Sequence, residues 1–260
     1  GNTANLTGET ITPVCEQNSY SYDASGNRLN KTAGNCTTST TTSHSYNTFS
    51  QITNTGYIYD ALGRNTQIPA IDTPNPTNGN IALVYDTNDH VVSISQNTVT
   101  TFTYDAEGRR LNESTNGSNT VRHYTDSSDN PTWATQTSTG AATKTEIFTP
   151  SLGSGLNITT TLQAATKTAE MQLHDLKGNT VTTVNLGDNT TTAWCSYDEY
   201  GNPNQNNPTN TNSINYTTYG QAERATNTTG LILMGARVYN PITNQFTSPD
   251  PIKGGNENPY

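Results

Sequence analysis

The sequence has few of the aliphatic side chains from which protein cores are usually built. Leu, Ile, Val and Phe account for 39 of the 260 residues, or 15%. Chains below roughly 20% are commonly disordered, but such chains usually also carry a high net charge. Here the net charge is −9 and only 13% of residues are charged. We therefore expect an ordered chain that buries another residue type, and its 14 tyrosines are the abundant candidate.

Basic residues and long apolar runs are also scarce. The 12 Lys and Arg are outnumbered by 21 Asp and Glu, which argues against a nucleic-acid partner because phosphate contacts need basic patches. The sequence contains no run of about 18 apolar residues, the length that a helix needs to cross a membrane. The sequence starts with Gly1 and shows no secretory signal, so we expect a mature or internal fragment.

Cysteine and histidine are too sparse to predict a metal site or a cofactor. Cys15 and Cys36 flank one predicted hairpin and either form a disulfide across it or remain thiols. Cys195 is then left free or pairs with another molecule. No Cys-x-x-Cys occurs and the four histidines are isolated, so neither a zinc site nor any other metal site is predicted.

Threonine and asparagine are abundant instead, with 51 and 34 copies. Thr alternates with apolar residues, as in residues 91–95 and 99–102, which is typical of strands with one polar face. Residues 156–173 are the best helix candidate, but their run of Thr favours a strand. Residues 73–79 and 202–212 are rich in Pro and Asn and are predicted loops. The second loop marks a soft boundary near residue 210.

A short motif recurs along the chain: an aromatic residue, any residue, Tyr-Asp, two residues, Gly, and then often Arg or Asn. The four clear copies place these residues at Tyr22, Asp23 and Gly26; Tyr59, Asp60 and Gly63; Tyr104, Asp105 and Gly108; and Tyr197, Asp198 and Gly201. Weaker copies contain Tyr85, Tyr124 and His174. The spacing indicates a repeat of about 20 residues with insertions.

Each copy is predicted to form a β-hairpin. Side chains alternate along a strand, so the aromatic-x-Tyr pair places two rings on one face. Asp opens a turn by accepting hydrogen bonds from backbone N–H groups two or three residues on. Gly supplies the positive φ of a short loop. Paired edge to edge, the hairpins would line up their Tyr rings in a ladder, with each aromatic pair contributing about 0.5–1.5 kcal/mol beyond burial.

The C-terminal part of the sequence carries a second motif. It reads Gly-Leu at 230–231, Ala-Arg at 236–237, Tyr239-Asn-Pro, and Ser-Pro-Asp-Pro-Ile at 248–252. Together with the Tyr-Asp repeats, it resembles the RHS (rearrangement hot spot), or YD-repeat, family over essentially the whole chain. The resemblance implies an all-β fold in which a strip of hairpins spirals into a β-solenoid shell. It implies a hairpin array over residues 1–210 and the RHS-associated core segment over residues 211–260. About a dozen hairpins are too few for a roomy closed shell, so we expect a partial one.

The resemblance also implies a role. Bacterial RHS shells commonly enclose a variable C-terminal toxin, so it implies a structural segment of a secreted or cell-surface protein. Its partner would be toxin cargo in a longer precursor, or neighbouring copies of the chain. A second possibility is an extracellular adhesion module that binds a cell-surface glycan or protein. An open end could also join copies into a filament.

Some RHS core segments are aspartyl autoproteases, in which paired carboxylates activate water. Asp250 and Arg237 match the family's Asp and Arg. Other positions depart from the family, with Asn240 replacing an Asp and Asn244-Gln245 replacing Gly-Arg. The family's downstream aspartate and cleavage site lie beyond this sequence. We therefore expect no enzyme here, with Asp250 starting a turn before Pro251 and Arg237 as a structural pairing residue. Autoproteolysis in a longer precursor, with Asp250 as a catalytic carboxylate and Arg237 stabilising charge, is the third possibility.

Overall fold

A computed structural model of the chain describes residues 17–35, 37–140, 144–153, 156–192, 194–204, 214–251 and 258–260. These residues form β-strands joined by tight turns, and they contain no α-helix. The strands are β1 (Gln17–Tyr22), β2 (Arg28–Gly34), β3 (Ser39–Ser43), β4 (Ile58–Tyr59), β5 (Asn65–Ile68), β6 (Ile81–Tyr85), β7 (Val91–Gln96), β8 (Thr98–Tyr104), β9 (Arg110–Thr115), β10 (Ser118–His123), β11 (Trp133–Ser138), β12 (Thr145–Phe148), β13 (Ser151–Gly153), β14 (Leu156–Gln163), β15 (Thr166–His174), β16 (Thr180–Asn185), β17 (Ala225–Thr226), β18 (Ile232–Met234), β19 (Arg237–Asn240) and β20 (Gln245–Phe246). Three 3-10 helices lie at Ala70–Asp72, Pro76–Asn78 and Gly220–Ala222.

The chain divides into two compact units, residues 1–54 and 55–260. In the first unit, β1, β2 and β3 form an antiparallel sheet, and a single bridge joins Tyr46 to Ile52. Cys15 and Cys36 lie outside the described residues, so the disulfide remains a prediction. The division predicted near residue 210 also falls outside them.

In the second unit, β4 to β16 form one antiparallel sheet in which each strand pairs with the next along the chain, except that β12 pairs with β14 and the short β13 pairs with β14 off this path. The predicted all-β array of hairpins is therefore confirmed. Residues 156–173 are two paired strands, β14 and most of β15, as their threonines favoured. Among the residues that the structure describes, no helix is long and apolar enough to cross a membrane.

The aliphatic residues are concentrated on one face of this sheet. Ile81 and Leu83 alternate with exposed neighbours on β6, and Ile94 on β7 is fully buried. The segment from residue 214 onward, with its own sheet of β17 to β20, covers that face with Leu231, Leu233 and other buried residues. The buried aliphatic side chains thus form one core between the repeat sheet and the C-terminal segment, whereas others, such as Val84 and Val99, are exposed.

The buried face becomes polar toward β16. Asn157 and Thr159 of β14, together with Gln172 of β15, are at most 1% exposed. Asn157 donates to the carbonyl of Gln221 in the C-terminal segment at 3.2 Å. Asn157 thus adds one hydrogen bond between the two layers, while Asn157 Oδ1 and both amide atoms of Gln172 have no hydrogen-bond partner among the described residues.

Candidate functional site: the repeat turns and the C-terminal segment

The Asp of each repeat organises its turn through both carboxylate oxygens. In the Asp60 turn, Oδ1 accepts the N–H groups of Leu62 at 2.9 Å and Arg64 at 3.0 Å. Oδ2 accepts Arg64 Nε at 2.7 Å. The N–H of Gly63 is used by the Asp60 carbonyl instead. The expectation that the carboxylate would bind N–H groups two or three residues on was thus wrong in part: it binds those two and four residues on, and the residue four on also supplies a side-chain donor.

The same turn recurs along both units. Asp and the side chain four residues on are paired in Asp23–Asn27, Asp86–His90, Asp105–Arg109, Asp175–Asn179 and Asp198–Asn202. Gly26, Gly63, Gly108, Gly178 and Gly201 adopt φ between 77° and 86°. Asp89 takes this position in the Asp86 turn, at φ 66°. A position that needs a left-handed backbone favours Gly first and Asp or Asn next, which explains both choices.

One further repeat turn, at Asn47, does not match the Tyr-Asp motif and was not predicted. Asn47 forms the same turn with its amide, because Oδ1 accepts the N–H groups of Phe49 and Gln51 and Nδ2 donates to Gln51 Oε1 at 2.7 Å. Ser50 occupies the glycine position at φ 61°. Asn carries an acceptor and a donor, so it reproduces the pattern without a charge. A search for Tyr followed by Asp or Asn, rather than for Tyr-Asp, would have found it.

Tyrosine rings contact the preceding repeat, but not as a ladder of tyrosines. The guanidinium carbon of Arg64 lies 4.9 Å from the centroid of the Tyr85 ring, and that of Arg109 lies 4.4 Å from Tyr124. His90 stacks on Tyr104 at 4.3 Å. The predicted Tyr–Tyr ladder is therefore wrong for these three rings, since the residue four after each Asp lies between consecutive tyrosines. Such cation–π contacts contribute about 0.5–2 kcal/mol each.

The tyrosine hydroxyls also reach back by one repeat. Each donates to the carbonyl of the residue that follows the preceding repeat's fourth position. The bonds are Tyr46 to Arg28, Tyr85 to Asn65, Tyr104 to Val91, Tyr124 to Arg110 and Tyr197 to Thr180, at 2.7–3.0 Å. Burial raises the pKa of Tyr85 and Tyr104, so these hydroxyls stay protonated and keep donating.

Two of the predicted repeat tyrosines, Tyr22 and Tyr59, have different surroundings from these five. Tyr22 is 47% exposed on β1. Tyr59 stacks beside Tyr57 at 6.3 Å, which places two rings on one face of a strand, and it meets Tyr260 edge-on at 6.4 Å.

Arginine at the fourth position links one turn to the next. Arg64 Nη1 donates to the Asp86 carbonyl at 2.8 Å and to Asp89 Oδ1 at 2.9 Å. Arg109 repeats the link with the Asp126 carbonyl at 2.6 Å. Partial burial alone would raise the pKa of Asp60, but hydrogen bonds from Arg64 and the turn's N–H groups outweigh it and hold that pKa below its usual value.

The C-terminal segment is tied to the early repeats. The Thr247 carbonyl accepts the Asn65 N–H at 2.7 Å and the Tyr85 hydroxyl at 2.9 Å. The Tyr260 hydroxyl donates to the carbonyl of Gly63 at 2.6 Å.

It is tied equally to the late repeats. The N–H of Thr180 donates to Thr217, and that of Gln221 donates to Gly178. Thr218 also packs so closely on Gly201 that a Cβ there would lie 2.3 Å from Thr218 Cγ2. One segment therefore holds together repeats that are more than a hundred residues apart in sequence.

Arg237 and Asp250 form an ion pair at 3.3 Å, and the guanidinium of Arg237 lies 3.7 Å from the centroid of the Phe246 ring. Burial lowers the pKa of Arg237 although the Asp250 charge opposes this. The N–H of Asp250 donates to the Pro259 carbonyl at 2.8 Å. These contacts hold the segment around Asp250 against β19 and β20, which gives both residues a structural role.

The departures from the family motif have local explanations. Asn240 Nδ2 donates to the Asp72 carbonyl at 2.8 Å, a bond that an ionised Asp could not donate. Asn244 adopts φ 60°, the conformation for which Gly is otherwise preferred.

Two further features bear on chemistry. Cys195 is a buried free thiol whose pKa is raised by burial. Within the described part of the chain, no group of three or more His, Cys, Asp or Glu side chains is placed to hold a metal ion.

Comparison with known proteins identifies the fold. No protein-family model and no curated protein sequence matches the chain. Among solved structures it is similar to TcdB2-TccC3 without its hypervariable C-terminal region, with a TM-score of 0.73 and 14% identity over 99% of this chain and 14% of that one. It is similar to the Photorhabdus luminescens Tc holotoxin pore, with a TM-score of 0.73 and 14% identity over 94% of this chain and 12% of that one. It is also similar to the TcdB2-TccC3-Cdc42 complex, with a TM-score of 0.70 and 15% identity over 94% of this chain and 12% of that one. The chain thus spans about an eighth of the length of the chains it matches, and it shares the fold of that part.

Proposed function

We propose that this chain is a non-enzymatic segment of an RHS/YD-repeat shell. One observation carries the proposal: Tyr85, Tyr104 and Tyr124 each bind the preceding repeat through both the ring and the hydroxyl. Because these repeats use the same donor and acceptor positions, a sheet can be lengthened by adding repeats. The resulting continuous wall needs few aliphatic residues.

We propose further that this wall belongs to a secreted bacterial protein and encloses or presents a C-terminal toxin. The titles of similar structures name a Tc holotoxin pore and a hypervariable C-terminal region. The C-terminal segment packs against the buried face of the repeat sheet, which supports a wall that holds the chain's own C-terminal part.

Protease protection in the full-length gene product tests this proposal. We expect a domain downstream of residue 260 to resist digestion while the repeats are intact. Asp60→Ala combined with Asp105→Ala removes two turn carboxylates and should expose that domain, whereas Lys144→Ala, on the surface, should not. Equal digestion of the downstream domain in all three proteins would contradict an enclosing shell.

A second candidate is self-association, and β3 favours it. All five residues of β3 are exposed, and among the described residues β3 pairs on one side only, with β2. Unprotected edges recruit further strands. Light scattering should show an oligomer that Thr41→Lys on β3 dissociates and that Thr101→Lys, exposed on the central strand β8, does not. A monomer at all concentrations would exclude this candidate.

Autoproteolysis with Asp250 as a catalytic carboxylate is the third candidate, and only the sequence motif supports it. Asp250→Asn in a longer precursor should abolish cleavage if the carboxylate takes part. Cleavage at the normal rate would leave Asp250 with its pairing role to Arg237 only.

A further inference from the structure

A cavity of about 190 Å³ lies between the repeat sheet and the C-terminal segment. The turn that follows β8, the connection between β10 and β11, and residues 223–236 form its walls. Four arginines line it, Arg109, Arg110, Arg122 and Arg224. They are a third of the 12 basic residues in a chain whose net charge is −9.

Three of these arginines have carboxylate partners. The ion pairs are Arg109 with Asp105 at 2.8 Å, Arg122 with Glu113 at 2.7 Å, and Arg224 with Asp129 at 2.9 Å. Their charges are therefore balanced by the protein itself.

Arg110 is the exception. It is only 7% exposed, and among the described residues no carboxylate lies within ion-pair distance of it. Its Nη2 donates to the Gly235 carbonyl at 3.2 Å, and its guanidinium faces the ring of Phe102 at 5.1 Å. Its Nε has no hydrogen-bond partner in the part of the chain that the structure describes. A buried guanidinium stays protonated, so an uncompensated one carries a large desolvation cost.

The acidic side chains of the cavity do not supply the missing charge. Asp129 is already paired with Arg224, and Glu107 lies beside Arg109 at 3.3 Å. Burial raises the pKa of Glu223 to about 8, although the Arg224 charge opposes this. At neutral pH Glu223 is thus mostly protonated and presents a hydrogen-bond donor to the cavity.

We propose that this cavity binds a small inorganic oxyanion, of the phosphate or sulfate type, which compensates the charge of Arg110. Guanidinium groups match such anions with paired, charge-assisted hydrogen bonds. The volume is many times the roughly 10–15 Å³ that a cavity needs to hold one water, so a tetrahedral anion fits. The site joins the sheet to the C-terminal segment, so the bound anion would strengthen that contact. This inference does not depend on the cargo or on the RHS assignment.

Equilibrium dialysis of the intact chain against labelled phosphate tests the site directly. We expect saturable binding of about one phosphate per chain, competed by sulfate but not by an equal concentration of chloride. Thermal unfolding at constant ionic strength should show a Tm at least about 3 °C higher in phosphate than in chloride.

Variants separate this site from the general stabilisation that phosphate and sulfate give all proteins. Arg110→Met should abolish dialysis binding and reduce the Tm response to the general part, and the surface variant Lys144→Met should behave as the wild type. Arg110→Lys keeps the charge but loses the planar fork, and we expect it to bind at least tenfold more weakly. Absence of saturable binding to the wild type would overturn the proposal, as would equal binding by wild type and Arg110→Met. If Arg110→Met does not fold, the proposal is still tested by saturable phosphate binding to the wild type and by its weakening in Arg110→Lys.

Discussion

The Arg64 guanidinium lies 4.9 Å over the ring of Tyr85 while its Nε holds Asp60 Oδ2 at 2.7 Å. A single side chain therefore closes its own turn and supports the tyrosine of the next. With its further bond to the Asp86 carbonyl, it couples two repeats whose strands belong to one sheet. This coupling explains how a chain with little aliphatic content keeps its hairpins in register.

Removal of this link should be costly. We expect Arg64→Ala to lower the free energy of unfolding by about 2–3 kcal/mol, because it breaks a charge-assisted turn, a cation–π contact and two bonds to the next turn. Urea denaturation measures the change. Lys144→Ala, whose ion pair with Glu146 is exposed, should change stability by less than about 0.5 kcal/mol; a similar loss in both variants would contradict the coupling role.

Two tyrosine hydroxyls provide a matched comparison. Tyr104 donates to the carbonyl of Val91, whereas Tyr85 shares its hydroxyl hydrogen between the carbonyls of Asn65 and Thr247. We expect Tyr104→Phe to cost about 1 kcal/mol and Tyr85→Phe about 1–2 kcal/mol. Only Tyr85→Phe should also speed hydrogen exchange at the Asn65 amide, which donates to the Thr247 carbonyl. Unchanged exchange there would show that the hydroxyl does not hold the C-terminal segment.

Two glycines with positive φ separate backbone strain from lost stacking. A Cβ on Gly26, at φ 79°, meets nothing within 4 Å, whereas one on Gly108, at φ 77°, comes within 2.9 Å of His90 Nε2. Both glycines hold the same position in a repeat turn, and we expect Gly26→Ala to cost about 1 kcal/mol. Gly108→Ala should cost about 0.5–1 kcal/mol more, because His90 must leave its stack on Tyr104. Equal losses in thermal unfolding would mean that the stack contributes little.

The turn carboxylates predict acid sensitivity. Partial burial alone would raise the pKa values of Asp60, Asp86 and Asp105, but hydrogen bonds within each turn hold them below the usual value. Since the folded pKa lies below the unfolded one, this stability is present above about pH 4 and is lost as the pH falls further. Unfolding free energies measured between about pH 5.5 and about pH 2.5 should decline with a slope that corresponds to the uptake of several protons on unfolding. Asp105→Asn should flatten the decline; an unchanged slope would contradict the assignment.

Glu223 predicts the opposite trend at higher pH. Burial raises its pKa to about 8, with the Arg224 charge opposing, so folding favours the protonated form. That contribution is complete below the unfolded pKa of about 4.3 and is lost as the pH rises toward 8. Glu223→Gln should therefore match the wild type near pH 4–5 and exceed it in stability near pH 8–9. A constant difference across this range would show that Glu223 does not titrate as described.

The turns could be predicted from the sequence because their chemistry is local. Asp60, Gly63 and Arg64 lie within five consecutive residues, so the side chain that closes each turn belongs to the same short motif. The Asn47 turn was missed because an amide and Ser50 reproduce the geometry with different letters. The partners of the rings could not be read in the same way, because Arg64 and Tyr85 belong to different repeats and meet only when the strands between them pair.

The sequence by itself determined the β-hairpins, since Tyr-Asp turns and alternating Thr specify strands and their reversal within a few residues. Tertiary structure alone decided what the C-terminal segment contacts. Tyr260 and Gly63 are 197 positions apart, and Thr247 and Tyr85 are 162 apart. The cavity around Arg110 arises from the same packing of the C-terminal segment on the repeat sheet. It could not be predicted from the sequence, because local patterns do not indicate which buried charges lack a partner once two layers pack together.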